Sequence, residues 1–248
     1  MSRAKPRETD DPRTSLFQRV DTWIFDLDDT LYPRSSGLYS RMASRVVLLI
    51  QKLTGADAET AERIHEEYYE RYGTSLIGLQ RHHGLAPADF LSFVHQVDLD
   101  CIGTGARLRP HIAKLPGRRI VFTNGSRAHA DRVLAQLALA DLFAEVCDIE
   151  ACGFVGKPDR VAYETLLTRH DIEPSHAMIF DDRAANLSIP FELGMKTVLV
   201  APKLERPLHV HACVEDLADF LAAACPSDGP AEFAIAGDPV TTELLRCV

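Results

Sequence analysis

The stretch Trp23-Ile24-Phe25-Asp26-Leu27-Asp28-Asp29-Thr30-Leu31-Tyr32 decides the fold of this chain. It begins with a short apolar run, which is typical of a buried strand. Asp26 and Asp28 follow at a spacing of i, i+2 in the turn that leaves the strand. At the carboxyl edge of an open α/β sheet, such a turn faces the ligand crevice. The pair alone also fits an Asx turn or a metal-binding loop without chemistry, so the interpretation depends on later segments.

The composition places the chain among soluble globular proteins. Of its 248 residues, 46% are hydrophobic and 25% are charged, which is ordinary for a folded domain. Apolar runs such as residues 46–50 are far shorter than the ~18 residues of a membrane span. The formal net charge of -9 argues against a nucleic acid polymer as partner, because backbone binding requires clustered Lys and Arg. A small anion can still bind locally.

The termini and the cysteines indicate the compartment. Residues 1–12 are polar and lack the apolar segment of a signal peptide, so we predict a disordered leader over residues 1–20. Six cysteines without a CxxC pair fit free thiols in a reducing cytosol. These features predict a cytoplasmic protein that does not associate with membranes.

The segment that follows the opening strand is helical throughout. Residues 34–107 contain apolar residues at helical spacing, interrupted by glycines, and show no strand signals. The predicted helices span residues 38–53, 57–72, 76–81 and 87–97. We interpret residues 34–107 as an inserted all-helical cap.

From residue 108 the pattern alternates between apolar strands and amphipathic helices. The predicted strands span residues 119–123, 145–149, 177–181 and 196–200. The predicted helices lie near residues 127–139, 159–170, 184–193 and 214–224. This alternation predicts parallel strands with right-handed crossovers and helices on both faces. With the opening strand added, we expect an α/β, Rossmann-like, five-stranded parallel core from residues 21–33 and 108–224. Residues 225–248 form a loop-like tail without an assigned structure.

Polar residues recur where the later strands end. Thr123 and Asn124 follow a strand and precede a helix, where a hydroxyl and backbone amides bind anions; Ser126 can cap that helix at the same time. Lys157, in Gly156-Lys157-Pro158-Asp159, places a cation in a stiff loop, although a single loop lysine is usually solvated.

Asp181 and Asp182 end a further apolar strand, and alone they fit a helix N-cap. The carboxyl ends of parallel strands meet at one edge, so all of these groups are expected there. Four carboxylates, a hydroxyl, amide donors and one cation suit a site that holds phosphate together with Mg²⁺. Helix capping alone does not require this combination on one edge.

The same residues resemble a known family, the haloacid dehalogenase-like phosphohydrolases. The family's four motifs occur here in its order across about residues 23–201: DxDxT (Asp26, Asp28, Thr30), a strand-end Thr123, a loop Lys157 and the acid pair Asp181, Asp182. The stretches FDLDDTLYPRSSGLY, FTNGS, GKPD and IFDDRAANL further look like the pyrimidine 5′-nucleotidase branch. The resemblance implies a Mg²⁺-dependent phosphatase that acts on a small phosphorylated metabolite, a nucleotide in that branch.

The resemblance also implies roles for the two acids of the opening stretch. Asp26 attacks phosphorus and forms an aspartyl-phosphate. Asp28 protonates the leaving oxygen and later activates water. A sugar alkoxide needs that proton and a halide does not, which disfavours the dehalogenase branch.

The remaining motif residues receive their roles from the same resemblance. Mg²⁺ is held by the Asp26 carboxylate, the Asp28 backbone carbonyl and the pair Asp181 and Asp182, of which Asp182 is the principal ligand. Thr123 and Asn124 contact the phosphoryl oxygens. Lys157 steadies both the nucleophile and the phosphate.

Substrate choice is expected to lie in the cap, because inserted helices can close over a phosphate site. Aromatic or basic side chains could contact a base; the candidates are Tyr39, Tyr69, Tyr72, Arg81, His82 and His83. Alternatively, the tyrosines form the core of the cap and the histidines a solvated helix end. The segment Gly103-Thr104-Gly105, where the cap returns to the core, is a predicted hinge.

Two alternatives to a nucleotidase remain open. One is a phosphatase of another small ester, such as phosphoglycolate or a sugar phosphate. The other is a catalytically silent protein that keeps the fold and binds a nucleotide or a partner. An intact second acid at Asp28 weighs against the silent protein, because a sensor has no need of it.

Overall fold

The computed structural model describes residues 16–202 and 206–224, which form a parallel sheet surrounded by helices. The six strands are β1 (Thr22–Phe25), β2 (Arg118–Phe122), β3 (Glu145–Cys147), β4 (Ala177–Asp181), β5 (Lys196–Val200) and β6 (Ala212–Val214). Their order is β3-β2-β1-β4-β5-β6, and every neighbouring pair is parallel. The first strand in sequence is therefore central, and the turn after it opens at the middle of the carboxyl edge.

The residues of β1 alternate between the two faces of the sheet. Trp23 and Phe25 belong to the core on one face, and Ile24 belongs to the core on the other. The Phe25 ring stacks on Phe180 of the adjacent strand at a centroid distance of 4.7 Å. Both faces are covered by helices, so a continuous apolar run is needed here instead of an apolar–polar alternation.

Helices account for most of the remaining described residues. The α-helices are α1 (Leu38–Thr54), α2 (Ala58–Tyr72), α3 (Ser75–His83), α4 (Pro87–Val94), α5 (Arg109–Lys114), α6 (Arg127–Gln136), α7 (Arg160–Arg169), α8 (Ala184–Glu192) and α9 (Leu217–Ala224). Short 3₁₀ helices span Arg34–Ser36, Asp100–Ile102, Ala140–Leu142 and Pro174–His176. Helices α5, α6 and α9 pack on the face of Trp23, and α7 and α8 pack on the face of Ile24. The predicted α/β architecture with helices on both faces is confirmed.

The predicted number of strands is wrong, because the sheet has a sixth strand, β6, paired with β5. The helix predicted near residues 214–224 begins only at Leu217, because β6 extends to Val214. β6 has three half-buried residues at the edge of the sheet. A strand that short shows no periodicity in sequence, so only its pairing with β5 reveals it.

Helices α1–α4 lie between β1 and β2 and share a hydrophobic core of their own. We call residues 38–94 the inserted helical unit. Its buried apolar side chains are Met42, Val46, Leu49, Ile50, Ala61, Tyr68, Leu76, Leu79, Phe90, Leu91 and Val94. Ile149, which follows β3, joins this cluster, so the unit packs against the carboxyl edge of the sheet.

The predicted leader extends too far. Val20 is buried, and the Phe17 ring lies 6.1 Å from Trp23 and 5.2 Å from Phe220. Apolar side chains at these positions anchor residues 16–20 to the core. The prediction missed them because it extended the polar character of residues 1–12 to residue 20. Residues 1–15 of the predicted leader and the whole predicted tail, 225–248, lie outside the described residues. Among the helices described, none is long and apolar enough to cross a membrane.

Candidate active site

Asp26 lies directly after the central strand and is almost fully buried. Its backbone N–H donates to the carbonyl of Phe180 at 2.9 Å. Its Oδ1 accepts a hydrogen bond from Lys157 Nζ at 2.7 Å, and its Oδ2 accepts one from the Thr30 hydroxyl at 3.0 Å. The carboxylate is thus held in one orientation.

Lys157 reaches this point from the loop before α7 and is only 2% exposed. Its Nζ donates to Asp26 at 2.7 Å, to Asp181 at 2.8 Å and to the Phe122 carbonyl at 3.0 Å. Burial alone would lower the pKa of Lys157, but the carboxylates of Asp181 and Asp26 raise it above its usual range. The lysine is therefore a permanent cation between two acids, and the solvated interpretation of a loop lysine is wrong here.

Asn124 holds the lysine loop in place. Its side-chain Oδ1 accepts from the Lys157 backbone N–H at 2.7 Å, and its Nδ2 donates to the Lys157 carbonyl at 2.9 Å. These two bonds use Oδ1 and one Nδ2 hydrogen, so the predicted contact of Asn124 with phosphate would have to come from its second Nδ2 hydrogen or its backbone N–H.

The acid pair occupies the end of β4, with Asp181 fully buried. Asp181 Oδ2 accepts from Lys157, and its Oδ1 accepts from the Arg183 backbone N–H at 2.9 Å and from Asn186 Nδ2 at 2.8 Å. Asp182, half-buried, adds a second carboxylate. Ligand oxygens of Asp26, Asp181 and Asp182 lie within 4.8 Å of one another.

This cluster has more negative charge than Lys157 can neutralise. Burial raises the pKa of Asp182 to about 8, assisted by Asp26 and Asp181. Burial also raises the pKa of Asp26 to about 7 against the opposing effect of Lys157. Three close carboxylates beside a single ammonium group suit a hard divalent cation, which prefers oxygen ligands and restores the charge balance. The residues therefore fit the expected Mg²⁺.

Asp28 faces a different set of partners from Asp26. Its Oδ1 accepts from the Tyr32 hydroxyl at 2.6 Å and from His129 Nε2 at 2.9 Å. Burial alone would raise its pKa, but the imidazole of His129 and these two hydrogen bonds lower it to about 2. His129 was not predicted; its only sequence signal is its place three residues after Ser126, in the first turn of α6.

Thr123 lies at the carboxyl end of β2 and is 1% exposed. Its Oγ1 accepts from the Gly125 N–H at 2.9 Å, and Ser126 caps α6 by accepting from the His129 N–H at 3.3 Å. The predicted N-cap is confirmed, while the phosphate contact of Thr123 stays a prediction.

A cavity of about 290 Å³ separates these residues from the inserted helical unit. The core supplies its polar floor, which includes Asp26, Asp28, Thr123, Asn124, Lys157 and Asp182. The inserted helical unit supplies the opposite walls, which include Tyr39, Met42, Val46, His65, Tyr69, Ser75, Phe90, Leu91 and Val94. Of the predicted cap contacts, Tyr39 and Tyr69 line this cavity.

The other four predicted cap contacts, Tyr72, Arg81, His82 and His83, do not line the cavity. Tyr72 bonds His82 Nε2 at 2.8 Å and lies under the Arg81 guanidinium, while His83 Nε2 bonds Tyr68 at 3.0 Å. Positions 68 and 72 share one side of α2, because residues four apart do so in a helix, and α3 covers that side. Those four residues hold α2 and α3 together, as the alternative interpretation of the tyrosines allowed.

Arg183 lines the cavity although the sequence interpretation assigned it no role. Its guanidinium lies 4.2 Å from the centroid of the Tyr69 ring and donates to the Gly73 carbonyl at 3.4 Å. It connects the acid pair of β4 with the inserted helical unit.

Comparisons with known proteins agree with this arrangement. A family model described as haloacid dehalogenase-like hydrolase matches residues 20–189. Phosphate metabolism protein 8 of Saccharomyces cerevisiae is 27% identical over 207 residues, which cover 76% of this chain and 62% of that protein. The chain thus spans less than two thirds of that relative's length.

Solved structures share the fold at low sequence identity. A HAD phosphatase from Thermococcus onnurineus superposes with a TM-score of 0.55 at 18% identity, covering 82% of this chain and 97% of that one. The putative HAD-hydrolase YfnB of Bacillus subtilis, bound to magnesium, gives 0.53 at 17% identity, with coverages of 83% and 98%. L-2-haloacid dehalogenase from Xanthobacter autotrophicus gives 0.52 at 15% identity, with coverages of 82% and 98%. Because phosphatases and dehalogenases share this architecture, the reaction has to be inferred from the site.

Proposed function

The chain belongs to the haloacid dehalogenase-like hydrolases, and from this premise we propose that it is a Mg²⁺-dependent phosphatase of small phosphomonoesters. We propose a pyrimidine nucleoside 5′-monophosphate as its substrate. The observation that carries the reaction type is the pair of acids after β1: Asp26 bonded to Lys157 beside the acid pair, and Asp28 lining the same cavity.

In the first half of the reaction, an oxygen of Asp26 attacks phosphorus while the bond from phosphorus to the ester oxygen breaks. Lys157 and Thr30 hold the attacking carboxylate, so its orientation is already fixed before the attack. Asp28 gives its proton to the leaving oxygen. An alkoxide requires that proton and a halide does not, which favours phosphate transfer over dehalogenation.

In the second half, Asp28 takes a proton from water as the water attacks the aspartyl-phosphate. Inorganic phosphate leaves and the Asp26 carboxylate is restored. The lowered pKa of Asp28 keeps its carboxyl group ionised in the free protein, and the base of this step has to be ionised to accept a proton. The first step needs the protonated form, which the negative charge of an incoming phosphate favours.

Mg²⁺ would be held by Asp26, Asp182 and the Asp28 carbonyl. Asp181 would lie behind these ligands, because its carboxylate oxygens already accept hydrogen bonds from Lys157, Arg183 and Asn186. Such an ion, when bound, neutralises the phosphoryl oxygens and positions them for in-line attack. The Bacillus subtilis protein that shares the fold is bound to magnesium, which supports the choice of metal.

The cavity walls support a substrate with a ring beyond the phosphate. Helices α1 and α4 supply apolar side chains, while Tyr39 and Tyr69 supply aromatic rings with centroids 6.2 Å apart. A base can stack against such walls. The many hydroxyls of a sugar phosphate would lose hydrogen bonds to water there without enough polar partners to replace them. Phosphoglycolate would leave the apolar end empty.

Phosphate release from a panel of esters tests this function. The panel contains pyrimidine and purine nucleoside 5′-monophosphates, phosphoglycolate and a hexose phosphate, each with Mg²⁺ and with a chelator. We expect the pyrimidine nucleotides to react fastest, only with the metal, and Asp26→Asn to lose activity by about 10³-fold or more. Undiminished release by Asp26→Asn contradicts the mechanism. Nucleotide binding without release from any ester identifies the catalytically silent alternative.

A further inference from the structure

His129 is a buried histidine that the motifs leave without a role. The residue is 1% exposed, and its Nε2 lies 2.9 Å from Asp28 Oδ1. We propose that His129 is a positioning residue that holds Asp28 for proton transfer to the leaving group. This inference rests on the proposed function, because it assumes that Asp28 is the acid and base.

Both donors to the Asp28 carboxyl bind the same oxygen. The Tyr32 hydroxyl and His129 Nε2 both donate to Oδ1. Among the described residues, none forms a hydrogen bond with Oδ2. Asp28 also lines the cavity. With two hydrogen bonds on Oδ1, Oδ2 is the oxygen left to exchange a proton with the leaving group and then with water.

His129 cannot turn away from Asp28 without breaking other contacts. Its backbone N–H donates to the Ser126 hydroxyl that caps α6, which fixes the backbone. Its ring stacks on the His95 ring at a centroid distance of 4.2 Å with an interplanar angle of 12°. His95 Nδ1 bonds the Ser126 hydroxyl at 3.0 Å, and Arg132 donates to the His95 carbonyl at 2.8 Å. The imidazole is therefore fixed between α6 and the segment that follows α4.

This rigidity bears on rate, because proton transfer requires the acid within hydrogen-bond reach of the leaving oxygen. A carboxyl that rotates freely about its side-chain bonds spends little time in that geometry. A misplacement of about 1 Å can cost on the order of 10²-fold in rate. His129 and Tyr32 confine Asp28 to one side of the cavity before the substrate arrives.

Two esters with different leaving groups separate this role from mere packing. A nucleoside monophosphate releases an alkoxide that needs a proton, whereas para-nitrophenyl phosphate releases a stable anion. We expect His129→Leu to lower kcat/KM for the nucleotide by about 10- to 100-fold and to affect the nitrophenyl ester much less. His129→Gln, which keeps an N–H donor near the position of Nε2, should restore part of the loss.

The matched control is His170→Leu, which breaks another histidine–carboxylate pair, formed with Glu145, and neither of these residues lines the cavity. Its effect should be equal for the two esters. Tyr32→Phe removes a single hydroxyl and keeps the inference testable where His129→Leu fails to fold; it should show the same preference for the nitrophenyl ester.

The variant Asp28→Asn distinguishes failure of this inference from failure of the proposed function. If Asp28→Asn discriminates between the esters but His129→Leu and Tyr32→Phe slow both equally, the positioning role is wrong. If Asp28→Asn itself does not discriminate, Asp28 is not the acid and both proposals fall. Discrimination by all three variants, with rescue by His129→Gln, supports the positioning role.

Discussion

The two acids that follow β1 are two residues apart and have opposite electrostatic environments. Burial outweighs Lys157 at Asp26 and raises its pKa to about 7, whereas His129 and Tyr32 outweigh burial at Asp28 and lower its pKa to about 2. Environments that separate the pKa values of neighbouring carboxyl groups are typical of acid–base sites. The separation comes from burial, from the nearby Tyr32, and from His129 and Lys157, which are far away in sequence.

The raised pKa values predict how Mg²⁺ stabilisation depends on pH. Asp26 and Asp182 titrate near pH 7 and 8 when folded, against a usual value of 3.8. Without metal, their contribution is fully present below about pH 4 and is lost as the pH rises through the folded pKa values, since the ionised carboxylates are then buried and lie close together. Mg²⁺ binds the ionised form, so its stabilising effect should grow over the same range.

Thermal unfolding with Mg²⁺ and with a chelator measures this effect. The Mg²⁺-induced rise in Tm should be larger at about pH 8 than at about pH 5, by roughly 3 °C or more. Asp182→Asn should raise the metal-free Tm at the higher pH and remove most of the response to Mg²⁺. A response that is independent of pH, or that survives in Asp182→Asn, would contradict the assigned metal site.

At the scale of elements, the end of α2 contacts the loop that carries Lys157. Gly73 ends this helix with φ +77°. A Cβ at that position would lie 2.5 Å from the Lys157 carbonyl and 2.6 Å from a Pro158 carbon. Only glycine suits both the left-handed backbone and this close approach. The inserted helical unit thus touches the core where Lys157 is held.

A glycine pair tests that contact. Gly73→Ala should cost about 1 kcal/mol in backbone strain, displace the Lys157 loop and lower kcat by about 10-fold or more. Gly84→Ala, at the end of α3 with φ +65° and no heavy atom within 4 Å of an added Cβ, carries the backbone strain alone. Chemical denaturation and steady-state kinetics measure both. Equal activity in the two variants would show that the contact does not position Lys157.

At the scale of the whole molecule, the cavity lies between the sheet edge and the inserted helical unit, so opening and closing must involve their connections. Gly103 is exposed, and no heavy atom lies within 4 Å of an added Cβ there. Gly105, in contrast, donates to the Leu137 carbonyl at 2.8 Å. Motion within the predicted hinge is thus expected at Gly103 and Thr104, with Gly105 as its fixed end.

Amide hydrogen exchange tests this motion. With Mg²⁺ and a phosphate analogue bound, we expect slower exchange around residues 103–104 and in the cavity-facing parts of α1 and α4. The amides of β2, buried in the sheet centre, serve as the internal control and should not change. Equal protection of residues 103–104 with and without the analogue would rule out a hinge there.

Much of the core was predictable because each residue of the proposed site either follows an apolar strand or lies in a loop with a recognisable motif. Asp26, Asp181 and Lys157 meet as expected, since parallel strands end at one edge. His129 and Arg183 were missed because a histidine in the first turn of a helix, or an arginine at the N-cap position, has no local pattern that distinguishes it from a surface residue. Four cap candidates were misplaced for a related reason: helical spacing does not reveal which side of α2 is covered by α3.

The sequence by itself determined the α/β class, the central strand with its acids and the chemical types gathered at one edge, because these depend on local apolar periodicity and strand order. Only the tertiary structure decided that Asp28 bonds His129, that Asn124 tethers the Lys157 loop, and that Tyr39 and Tyr69 face the cavity. These contacts join segments about 30 to 100 positions apart. Their geometry follows from helix packing against the sheet, which no local pattern encodes.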